Sequence, residues 1–148
     1  MTLALCCLLM LPTADPLQVE LQRSADRAAQ EINDGRVTLY ITSKSGIGSA
    51  ILRPNDQWPK GLAVELNLRG LEGLALTQGD FRLRTWLGNE KPEASRQIDG
   101  AWRPARPGDD EIPSIERLLK GIRITVPAAW LKKDAPELKI EWIDFYRG

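Results

Sequence analysis

The sequence predicts an all-β protein: a single antiparallel β-sandwich, jelly-roll-like, of about eight or nine strands with one short helix. Three observations carry this expectation. Apolar side chains recur at every second position in five separate segments after residue 35. Clusters of Gly, Asn, Asp and Pro separate those segments, as turns require. Each alternating strand also leaves one apolar face to be covered, so a second layer is needed.

Leu17-Gln-Val-Glu-Leu21 alternates like a strand, whereas Leu21, Ala25, Ala28, Ala29 and Ile32 also fit a helical stripe. The Ser24-Ala-Asp-Arg27 break favours two strands joined by a turn. Asn33-Asp-Gly35 then leads into a strand over 36–43, with Val37, Leu39 and Ile41 on one face and Thr38, Tyr40 and Thr42 on the other. Ser45-Gly-Ile-Gly48 reads as a turn before a short strand, Ser49–Leu52. Residues 53–61 form a loop around Trp58-Pro59.

Leu62, Val64, Leu66 and Leu68 alternate with Ala63, Glu65, Asn67 and Arg69. Gln78-Gly-Asp80 makes a hairpin connection into Phe81–Leu87, where Leu83 faces opposite to Arg82, Arg84 and Trp86. Residues 92–121 carry four prolines and read as a long irregular excursion, with Ile115–Lys120 as a strand or a single helical turn. Ile122–Val126 and Leu138–Trp142 alternate again, and Pro127–Leu131 between them is the short helix, opened by proline.

Composition narrows the function. The chain has 148 residues, room for one domain, expected over residues 15–148. Its 20 Lys+Arg balance 20 Asp+Glu, which argues against a nucleic-acid partner. The absence of His removes His-based triads, His-ligated zinc and the commonest proton shuttle. No cofactor is expected.

The apolar run Met1–Leu11 is too short to span a bilayer and fits the core of a secretory signal, with cleavage after Ala14. Export to the periplasm or beyond is therefore expected, although no basic residue precedes the run. Cys6 and Cys7 lie inside it and would leave with it. A lipid-anchored cysteine fits poorly, since Leu5 precedes Cys6 where a small residue is required.

Chemical motifs are sparse. Gly46-Ile-Gly48 with Lys44 lacks the strand-to-helix context and the lysine-serine pair of a phosphate loop. Ser43 and Ser45 flank Lys44, yet a loop lysine is normally solvated and does not activate a serine. Asp109, Asp110 and Glu111 form the one dense acidic cluster, a weak candidate for calcium, with Arg103 and Arg106 nearby to neutralise it.

The most suggestive surface is the outward side of two strands. Arg82, Arg84 and Trp86 project from one, Glu65 and Asn67 from another. If these strands are neighbours, an indole plate stands beside fixed guanidinium, amide and carboxylate groups, a combination suited to a glycan or a protein partner. The bland alternative pairs Glu65 with an arginine and covers Trp86 with a loop. Trp58 and Trp102, placed in loops, are further candidate platforms; Trp142 belongs to the core, and Trp130 anchors the short helix to a sheet edge.

Ser43-Lys-Ser-Gly-Ile-Gly-Ser-Ala50, Trp58-Pro59, Leu68-Arg-Gly-Leu-Glu72 and Ile140-Glu-Trp-Ile-Asp-Phe-Tyr-Arg147, taken together, resemble a group of exported bacterial proteins of uncharacterised activity. The resemblance spans most of residues 36–148, apart from a proline-rich insert near 100–113. It implies a β-sandwich outside the cytoplasm and brings no catalytic residues. The expected function is a non-catalytic binding or accessory module of the cell envelope. The alternatives are a small carboxylate-based hydrolase acting on polysaccharide, which needs two acids flanking a cleft, and a structural protein-protein interaction domain.

Overall fold

The computed structural model describes residues 15–86, 93–104, 113–131 and 136–144. The expected signal segment, both cysteines, the Asp109–Glu111 cluster and the Trp130 side chain lie outside the described residues.

Among the described residues the protein is nearly all β, 76% strand and 2% helix. The strands are β1 (Leu17–Asn33), β2 (Arg36–Pro54), β3 (Gly61–Leu66), β4 (Leu71–Gln78) and β5 (Phe81–Trp86). They continue with β6 (Glu93–Ile98), β7 (Ala101–Pro104), β8 (Ser114–Leu118), β9 (Gly121–Val126) and β10 (Leu138–Asp144). The short helix is a 3-10 turn, Ala128–Leu131. All ten strands belong to one sheet, ordered β7-β6-β5-β4-β10-β2-β3-β9-β8 with β1 on β2. This open, curled sheet has the form of a half-barrel in place of two separate sandwich sheets.

The continuity comes from β1 and β2. Neither is broken where the sequence suggested a turn. In β1 the Ser24–Arg27 break is a pair of register shifts, preceded by Arg23 at φ 59°. In β2 the segment Ser45–Gly48 stays in the strand, and Gly46–Gly48 pairs with β10. Bulges of this kind bend a strand without ending it. Laid straight, the 19 residues of β2 would reach about 60 Å. Yet the connection 55–60 returns the chain to the start of β2, and six residues span only about 20 Å.

The hairpin must therefore fold back on itself. Two contacts confirm it: the Gln30 side chain hydrogen-bonds the backbone of Leu17 at the far end of the same strand, and Lys60 N–H donates to Gly35 O at 2.9 Å. One consequence corrects the all-antiparallel expectation, because β3 pairs parallel with the first half of β2. Parallel neighbours normally need a crossover of a dozen residues or more. Here the second half of β2 serves as that crossover.

Two arms spring from the same edge of β2: β3, β9 and β8 from its first half, and β10, β4, β5, β6 and β7 from its second. The apolar faces of both arms enter one core. Val37, Leu39 and Ile41, Leu62 to Leu68 at alternate positions, Ile122, Ile124 and Val126, and Leu138, Ile140 and Trp142 are all buried, as the alternation requires. Each fully buried Leu or Ile contributes about 1.5–3 kcal/mol. The excursion over 92–121 is more regular than its prolines suggest, since it contains β6, β7 and β8. Asp34-Gly35 and Asp99-Gly100 close hairpins with both residues at positive φ, the backbone that a two-residue type I′ turn demands.

A polar clasp holds the bend. The Trp142 indole N–H donates to Ser43 Oγ at 2.9 Å inside the core. The same indole occupies the space above Gly48, where a Cβ would lie 2.5 Å from the ring. Asn67 Oδ1 accepts from Ser43 N–H at 2.8 Å. The buried Asp144 carboxylate accepts from Gly70 N–H at 2.7 Å and from Arg69 N–H at 3.4 Å, and Ser45 Oγ donates to Asp144 O.

Candidate functional site

The outer face of the second arm carries the residues expected to form a platform. Arg82, Arg84 and Trp86 share one side of β5, with Leu83 buried on the other. Trp102 is not in a loop. It stands on β7 on the same face, because it pairs with Gln97, two positions beyond Ser95, the residue opposite Arg82. The Arg82 guanidinium lies over the Trp102 ring, 4.1 Å from its centroid. Burial and the adjacent Arg84 charge lower the Arg82 pKa from its ordinary value. Arg84 pairs with Glu93 at 3.7 Å, both half-exposed.

Trp86 is uncovered. Across the sheet it faces Gly73, Gly73 faces Ile143, and Ile143 faces Ile47. Residues directly opposite in antiparallel pairs share a face. Trp86, Ile143 and Ile47 therefore form a row across four strands, and each is at least 36% exposed.

Glu65 and Asn67 are elsewhere. Three strands, β4, β10 and β2, separate β5 from β3, so the five polar and aromatic residues do not make one platform. Asn67 is spent on Ser43 in the clasp. Trp58 is a core plug, 8% exposed. Glu65 helps to build a different feature, a trough of about 610 Å³ on the outer face of β2, β3 and β9, within the range of ligand sites.

The register explains the trough. Thr38, Ala63 and Thr125 line up across the three strands as a floor of small side chains. One wall is the next row, Tyr40, Glu65 and Arg123. Arg123 pairs with Glu65 at 3.2 Å, and Tyr40 donates its hydroxyl to Glu31 at 2.9 Å. That hydrogen bond, with desolvation and the charges of Glu31 and Glu65, raises the Tyr40 hydroxyl pKa above the ordinary 10.0.

The other wall is Arg36 and Lys60. Their stems lie across glycines, Arg36 over Gly61 and Lys60 over Gly35. Neither has an acidic partner among the described residues. Four residues of strand separate the walls, about 13 Å. Chemically the trough offers an aromatic ring, a fixed donor–acceptor pair and two unpaired cations.

Of the expected residues, then, the fold unites Arg82, Arg84, Trp86 and Trp102, and sends Glu65, Asn67 and Trp58 to three other places. Tyr40, Arg123, Arg36 and Lys60 escaped the sequence reading, although Tyr40 and Arg123 occupy outward positions of alternating strands. Their convergence needed the β2–β3–β9 pairing. Among the described residues no group of three His, Cys, Asp or Glu is placed to hold a metal, and no helix is long and apolar enough to cross a membrane. No family model, curated protein or solved structure matches the chain.

Proposed function

We propose that the protein is an exported, non-catalytic binding module of the bacterial envelope that holds a glycan in the trough between Tyr40 and Arg36. In fold terms the finer reading is a sandwich whose two layers share the bent β1–β2 hairpin. The observation that carries the functional reading is the wall Tyr40–Glu65–Arg123 facing a floor of small residues. A sugar ring lays its C–H face on an aromatic ring while its hydroxyls take fixed donors and acceptors, and the small floor leaves room for it. A hydrolase would aim two carboxylates at one bond. Glu31 and Glu65 are instead engaged by Tyr40 and Arg123, which supports binding over hydrolysis.

The test is a glycan array followed by calorimetry on the best ligand. Tyr40→Ala and Arg123→Ala should each weaken binding at least about tenfold, as loss of one hydrogen-bonded or stacked contact does, with the circular dichroism spectrum unchanged. Full affinity in both variants would refute the trough as the site. A second reading, a protein partner on the Trp86–Ile143–Ile47 row, is favoured by the apolar continuity of that row. A photo-crosslinker at position 86 should then give one defined adduct that Ile143→Asp abolishes.

A further inference from the structure

The β8–β9 hairpin reverses direction at Leu119-Lys120, between the paired residues Leu118 and Gly121. Turn apices are ordinarily Gly, Asn, Asp or Ser, which satisfy local backbone groups. This apex carries a leucine that is 98% exposed, far beyond the other large apolar side chains described. A lone exposed leucine has no meaning by itself. Its surroundings give it one.

Beside the apex lies a hollow of about 490 Å³ lined by Arg69, Arg117 and Lys120 together with Leu68 and Leu118. Among the described residues that line it, three are cations and none is an acid, in a chain whose charges balance overall. The nearest acid in sequence, Glu116, alternates to the opposite face of β8 and pairs with Arg123 at 3.9 Å. Arg117 and Lys120 have no acidic partner among the described residues. β8 is also the last strand of its arm, so the hairpin stands at the rim of the sheet.

We infer that this hairpin tip docks on an anionic phospholipid surface, with a headgroup phosphate in the hollow and Leu119 in the headgroup–acyl boundary. A phosphate needs the cations and no leucine. A hydrocarbon boundary accounts for the leucine and not for the cations. A bilayer bearing anionic lipid presents both within one hairpin turn, and basic groups near such a surface each strengthen binding about fivefold. Peripheral attachment by one apolar side chain and a few cations is weak and reversible. It would place the trough at a membrane face without anchoring it there permanently. The inference is independent of what the trough binds.

The experiment is co-sedimentation of the full chain with vesicles of phosphatidylcholine alone or with a third phosphatidylglycerol. Binding is expected only to the anionic vesicles and should fall as salt is added. Arg117→Gln and Lys120→Gln should each weaken it about fivefold, and Leu119→Asp should abolish it. Tyr40→Ala, in the trough, should leave it intact. All four positions are exposed or half-exposed, and Leu119→Trp adds a direct reading of insertion through a blue shift in emission on anionic vesicles. Absence of binding at low salt would overturn the inference, as would unchanged binding in Leu119→Asp or unshifted Leu119→Trp emission while bound. Saturable binding of inorganic phosphate without vesicle binding would make the hollow a soluble-anion site and equally overturn it.

Discussion

The clasp at the bend of β2 and the trough a few residues away are both clusters of polar side chains, yet they use their groups in opposite ways. In the clasp Ser43, Asn67, Trp142 and Asp144 direct their hydrogen bonds inward and hold together segments distant in sequence. In the trough Glu31 and Glu65 are engaged, while Arg36 and Lys60 face solvent with no acidic partner described. A buried polar group left without a partner costs about 1–3 kcal/mol, so a fold cannot tolerate a loose clasp. An exposed cation without a partner costs almost nothing and remains free to meet a ligand. The contrast separates residues that make the structure from residues that it makes available.

The largest break of that contrast comes from Gly48. A methyl group there would meet the Trp142 ring at 2.5 Å, and neither the strand backbone nor the buried indole can retreat. Gly48→Ala should destabilise the protein by about 3 kcal/mol, the upper range for overpacking a core, read as a lower urea midpoint. Asp144→Ala comes next. It strands the Gly70 and Arg69 amides beside a void and should cost about 2 kcal/mol. An unchanged midpoint in either variant would mean that the bend is held by something other than the clasp.

The same contrast explains what could be read from the sequence. Strands with one face in the core announce themselves by alternation, which is why Val37–Ile41, Leu62–Leu68, Ile122–Val126 and Leu138–Trp142 were legible. β1 was legible only in part: its strand character was favoured over a helix, but the bulges at Arg23–Arg27 interrupt the period of this edge strand and made one element read as two strands and a turn. Gly48 was read as turn chemistry, although it is small to admit Trp142. The segments that carried the resemblance, Ser43–Ala50, Leu68–Glu72 and the part of Ile140–Arg147 described, meet at the clasp. In the structure they hold the bend together. The trough was illegible for a different reason. It depends on a parallel pairing of β2 with β3, and local periodicity says nothing about which strands become neighbours.

Trough substitutions should accordingly be mild in stability and sharp in binding. Glu65→Gln removes a half-exposed ion pair with Arg123, and exposed pairs of this kind contribute about 0–1 kcal/mol. Its urea midpoint should barely move while glycan affinity drops. A large loss of stability would transfer Glu65 from the trough to the structural class and remove the basis for assigning it to the wall.

The finest test is the ionisation of Tyr40. Its hydrogen bond to Glu31, then desolvation, then the charges of Glu31 and Glu65 favour the neutral phenol, so the folded state keeps the proton above pH 10.0 where the unfolded chain releases it. The folded form binds more protons there, and stability must fall as pH rises. The contribution is complete below pH 10.0 and disappears as pH climbs through the native pKa. Near-ultraviolet titration of tyrosinate should show one of the two tyrosines ionising late, and Tyr40→Phe should delete that component. Glu31→Ala should bring it back toward the ordinary value, because it removes both the hydrogen-bond acceptor and the charge. If Tyr40 ionises normally in the unmodified protein, the Glu31 contact is not made in solution and the wall of the trough stands open.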